Sequence, residues 1–77
     1  MSEINNIALQ EVQKNVPAEC EVKMTKSYHG IDRLEIDVKT MSHTARLRLC
    51  HELEKLHPGE WSAWPIGDKV LVEEKGK

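Results

Sequence analysis

Phenylalanine is absent from the sequence, and two tryptophans and one tyrosine are its only aromatic residues. A core built on stacked rings is thereby excluded; the apolar residues, 39% of the chain, must build a lean aliphatic one. Cysteine is nearly missing too. Cys20 and Cys50 are thirty positions apart, with no C-x-x-C, which excludes a disulfide framework and predicts free thiols in a reducing compartment. There is no excess of basic charge: the net charge is −2 and the pI about 6.1, unlike a general nucleic-acid binder. No apolar run is long enough to span a membrane. The first ten residues, M-S-E-I-N-N-I-A-L-Q, lack the basic and apolar regions of a secretory leader, so a cytoplasmic location is expected. Repeats, linkers and low-complexity segments are lacking as well.

What is present is periodicity. Thr40–Pro58 carries Ala45, Leu49, Leu53 and Leu56 on one helical stripe, with Arg48, His51, Glu52 and Lys55 opposite. Thr40 or Ser42 can cap its start, and Pro58-Gly59 stops it. Ser2–Val16 reads as a second helix, with Ser2 as cap, Glu3 in the first turn and Ile4, Ala8, Val12 and Val16 on one side; Pro17 ends it. Strand alternation marks 20–28 and 33–39, joined by His29-Gly30, and again 61–66 and 69–74, joined by Gly67-Asp68. Pro65 places its strand at a sheet edge.

The order αββαββ over residues 1–77 predicts one α+β domain. It is a two-layer sandwich, with a four-stranded antiparallel sheet and both helices on one face. A right-handed crossover from the second strand to the third that skips one place gives the strand order 3-4-2-1. That is a ferredoxin-like arrangement with its first strand moved to the C-terminus. So short a chain buries only about 60–65% of its unfolded surface, and a partner or a second copy would steady it.

No constellation with the spacing of a catalytic, cofactor or metal site emerges. His43, Cys50 and His57 lie seven apart, about 10.5 Å along a helix, whereas one zinc needs its ligands within about 2.0–2.3 Å. Cys50 and His51 point about 100° apart on a helix, so they cannot act as nucleophile and base. Both cysteines are expected to behave as small buried hydrophobes. Arg46, Arg48, His51 and Lys55 give the second helix a mild basic lean, interrupted by Glu52 and Glu54, and read as a solvated face. No metal, no cofactor and no enzymatic activity are expected.

Trp61 and Trp64 are the informative pair. Their odd spacing puts them on opposite faces of a strand, and only one face can lie under the helices. Trp61 shares its side with Ala63, Val70 and Val72, whereas Trp64 shares the other side with Ile66 and Leu71. Trp64, Ile66 and Leu71, with Leu47 on the polar side of the second helix, are the candidate protein-binding residues. The partners this implies are a protein, such as a host complex, or a second copy forming a homodimer. The alternative is an RNA or single-stranded DNA module using the wet sheet face, with Lys23, Lys26, Arg33 and Lys39 as its cations. Glu21, Glu35 and Asp37 on that face and the lack of an RNP-like aromatic pattern make nucleic acid the weaker partner. In size and style, over its whole length, the chain resembles the small inhibitors that phages and other mobile elements encode against host machinery, including anti-CRISPR proteins. No motif carries this likeness. It implies an interaction protein that works by stoichiometric occlusion.

Overall fold

The computed structural model describes residues 3–76. Its elements follow in the expected order: α1 (Asn6–Asn15), β1 (Val22–Lys26), β2 (Asp32–Asp37), α2 (His43–Leu56), β3 (Trp61–Ile66) and β4 (Lys69–Glu74). The strands form one antiparallel sheet in the order β1-β2-β4-β3. Read from the other edge this is 3-4-2-1, as the permuted ferredoxin-like arrangement requires.

The helix boundaries show which local signal prevailed. The expected cap, Ser2, lies outside the described residues. The helix instead starts after Asn5, whose side-chain oxygen accepts the N–H groups of Ile7 and Ala8 at 3.0 Å each. Glu3 therefore precedes α1 rather than sitting in its first turn. Ile4 is buried even so. With Leu9 it occupies the two positions of a hydrophobic staple, and both sit on the core. Val16, before Pro17, is extended, as the proline demands. At α2 the choice between Thr40 and Ser42 falls to Ser42, whose hydroxyl accepts the Ala45 N–H at 3.2 Å.

β1 is shorter than its alternation suggests because turns claim both ends. The Cys20 N–H donates to the Pro17 carbonyl at 2.9 Å. The Ser27 hydroxyl accepts from the His29 and Ile31 N–H groups at 3.3 and 3.2 Å, which folds the chain before Tyr28. The Asp37 carboxylate likewise accepts the Lys39 N–H at 3.1 Å and ends β2 two residues early. The β3–β4 hairpin has its expected bounds. Gly67 supplies the positive φ, +56°, that a type II′ turn needs at its first position.

Both helices lie on one face of the sheet, since Ala8 and Val12 of α1 and Leu49, Cys50 and Leu53 of α2 share one buried cluster. Its sheet side holds Val22, Leu34, Ile36, Val38, Trp61, Ala63, Val70 and Val72. α1 packs over β1, and α2 over β3 and β4. No helix among the described residues is long and apolar enough to cross a membrane.

Arg46 corrects the expectation of a uniformly solvated basic face on α2. Its Nε donates to the Val38 and Met41 carbonyls at 3.1 Å each, and its terminal nitrogens reach the Gly67 carbonyl at 2.8 Å and the Asp68 carboxylate at 3.6 Å. One planar guanidinium thus ties the end of β2, the start of α2 and the β3–β4 turn together.

Candidate protein-docking surface

Among the described residues no layer covers the face of the sheet away from the helices, and the strand registers fix what it displays. Lys23, Glu35, Leu71 and Trp64 form one row across all four strands. Asp37, Lys69 and Ile66 form a second. Leu71 is only 6% exposed although it lies outside the helix-side cluster. It sits between Glu35 on β2 and the half-buried Trp64 on β3. Ile66, at the hairpin end, is 57% exposed. The structure therefore brings Trp64, Leu71 and Ile66 together. Leu47, 41% exposed, belongs to α2 in the helix layer and is not part of this patch.

Charges of both signs surround the apolar residues and pair with each other. Glu35 holds Lys23 at 3.5 Å and Lys69 at 4.0 Å, Asp37 holds Lys69 at 3.6 Å, and Arg33 meets Glu73 at 3.3 Å. The Lys39 N–H keeps the Asp37 carboxyl below its ordinary pKa; burial opposes this, and the charges of Lys69 and Lys39 add to it. Each exposed pair contributes little to stability, but together they leave the face nearly neutral.

This arrangement bears on the candidate nucleic-acid set. Lys23 and Arg33 stand on the open face with carboxylate partners. Lys26 alternates onto the helix side and pairs with Asp32. Lys39 lies past the end of β2, off the sheet. The four cations share no single surface, and three of them are engaged by carboxylates.

The cysteines are free and buried, and the Cys20 Sγ lies 3.7 Å from the Met41 sulfur. Burial pushes both thiols up, helped by Glu19 and Asp37 at Cys20 and by Glu54 at Cys50. His43 and His57 stand at opposite ends of α2. Among the described residues no three His, Cys, Asp or Glu side chains could hold a metal.

Three features escaped the sequence. His57 is more than a border residue: its Nε2 lies 2.7 Å from the Glu11 carboxylate, and its ring packs on Trp61 with centroids 4.2 Å apart, joining α1 to the end of α2. Tyr28, 97% exposed at the tip of the β1–β2 hairpin, was signalled only by Ser27 and Gly30 around it. Ile7, 75% exposed, lies off the buried Ala8–Val12 stripe of α1.

Two shallow depressions, of about 180 and 210 Å³, lie near the start of α1. Both are smaller than the usual ligand pocket of roughly 300–1,000 Å³. The chain matches no protein-family model, no curated protein and no solved structure.

Proposed function

We propose that the chain is a non-catalytic protein-interaction module that binds a protein partner through the open sheet face around Trp64. The observation that carries this reading is the row Trp64–Leu71, with Ile66 beside it, on the face that no helix covers. A half-buried ring beside Leu71 at the β3 side of a nearly neutral face, with paired charges across the other three strands, offers the aromatic anchor that interaction hot spots use. The likeness to small phage inhibitors extends the reading: the module acts in the cytoplasm as an anti-CRISPR-like inhibitor, occluding a surface of a host complex in fixed stoichiometry. The nucleic-acid reading has less support, because three of its four cations are paired with carboxylates and the set is dispersed.

The test is capture from the native host with tagged wild-type chain and two variants, Trp64→Ala and Ile7→Ala, each checked by thermal melting. A partner lost with Trp64→Ala and kept with Ile7→Ala supports the reading. Partners held equally by all three proteins overturn it, as does a salt-dependent shift with single-stranded RNA or DNA.

A further inference from the structure

The two edges of the sheet are finished differently. Along β3 the Lys75 N–H donates to the Glu60 carbonyl, so even-numbered residues face β4 and odd-numbered residues face outward. Every outward donor on that edge is accounted for. The Trp61 N–H goes to the His57 carbonyl at 3.1 Å, the Ala63 N–H goes to the Glu54 carboxylate at 3.1 Å, and Pro65 has no N–H.

Along β1, the Asp37 N–H donates to the Glu21 carbonyl and the Ser27 N–H to the Ile31 carbonyl, at 2.9 and 2.8 Å. Odd-numbered residues therefore face β2, and Val22, Met24 and Lys26 turn their N–H and C=O groups to the free edge. Those groups have no partner among the described residues. Lys26 is held by Asp32 on the helix side, and Lys23, 3.5 Å from Glu35, keeps its side chain half-exposed beside the edge.

We propose that the free edge of β1 pairs antiparallel with the same strand of a second copy of this chain, about a two-fold axis at Val22. The charge pattern selects this occupant and this register. The segment Glu19-Cys20-Glu21-Val22-Lys23-Met24-Thr25-Lys26 is acidic before Val22 and basic after it, so it complements itself when reversed. An axis at Val22 sets Glu21 opposite the partner's Lys23, and the reverse, with Cys20 opposite the partner's Met24 on the helix side. An axis at Lys23 would oppose two lysines. An axis at Met24 would leave Glu21 without a counterpart. In the selected register Val22 exchanges both backbone bonds with its copy, and the Met24 N–H donates to the carbonyl of the partner's Cys20. The Cys20 N–H, already given to Pro17, is not required. The sheet doubles in width, and the Trp64 face stays uncovered on each copy, so this pairing stands or falls separately from the docking reading.

Light scattering coupled to gel filtration, run from micromolar to millimolar chain, should give twice the 8.8 kDa chain mass at the upper end. Met24→Pro removes an outward donor without touching the β1–β2 ladder and should leave only monomer. Glu21→Lys and Lys23→Glu should each weaken the dimer roughly tenfold by opposing like charges, and the double exchange should restore it. Circular dichroism confirms that each variant is folded. A wild-type chain that stays monomeric throughout, or a double exchange no tighter than the single ones, overturns the proposal. An extended peptide that binds a chain remaining monomeric assigns the edge to a foreign strand and overturns it as well.

Discussion

Trp61 and Trp64 sit three residues apart on one strand and live in different environments. Trp61 is 1% exposed beneath α2, with the His57 ring against it. Trp64 lies half-buried on the bare side, with Leu71 as its cross-strand neighbour. The same residue type thus serves the fold on one side of the sheet and is displayed on the other. A cavity under α2 cannot collapse without moving a helix, whereas a gap on the open side simply fills with water. The two sides should therefore answer substitution differently.

The largest effect is expected from Trp61→Ala, about 3–5 kcal/mol, enough to unfold so small a domain in a thermal melt. Leu53→Ala, in the middle of the α2 stripe and fully buried, should cost about 2–5 kcal/mol by denaturant titration. A melting curve unchanged by either would mean that the helix side is not the core. Arg46→Ala tests whether a polar tie matters on that same side. Losing the guanidinium leaves the Met41 and Gly67 carbonyls without their side-chain donor, while the Val38 carbonyl keeps the Met41 N–H; it should cost about 1.5–3 kcal/mol, with Arg46→Lys failing to restore it because an ammonium cannot span the fork.

Trp64→Ala sharpens the contrast from the open side. Stability should fall by no more than about 1.5 kcal/mol, the part of the Leu71 and Trp64 burial that water replaces. Partner affinity should fall by about 2 kcal/mol or more. Quenching of fluorescence in the two single-tryptophan proteins gives the same comparison without a partner. Trp61 should be protected and Trp64 accessible, and equal protection of both in a monomer would erase the distinction.

The smallest effect concerns the thiols, which lie on the helix side. Both are raised above the ordinary thiol value of 9.0. The unfolded chain therefore ionises first. The stability linked to the neutral thiols is fully present below pH 9 and is lost as pH rises through the folded values. Native chain should alkylate slowly near neutral pH and rapidly in denaturant, and fast native labelling at Cys50 would contradict its burial on the sheet-facing side of α2.

Much of this is legible in the sequence. The stripe Ala45–Leu49–Leu53–Leu56, the alternation of Leu34, Ile36 and Val38, and the Gly67-Asp68 turn each carry a strong local period or a steric requirement. Pro65 could be placed at an edge because its missing N–H permits few other positions. The odd spacing of the tryptophans likewise separated them onto two faces. The ends of elements were harder. Asn5, Ser27 and Asp37 each terminate or start an element through a side-chain bond, and several nearby residues could have done the same. Leu47 and Trp64 both break the local pattern, and only the layer arrangement separates them.

Periodicity and the backbone limits of glycine and proline specify the class of every element, their order and the two-sidedness of the β3–β4 hairpin. Tertiary structure alone decided that Arg46 anchors three segments, that His57 bridges Glu11 and Trp61, that Glu54 seals one sheet edge, and that the cations of the open face come with their own carboxylates. Those contacts join residues from separate elements. No local pattern encodes them, and they exist only once the sheet register and the helix positions bring their atoms within hydrogen-bond reach.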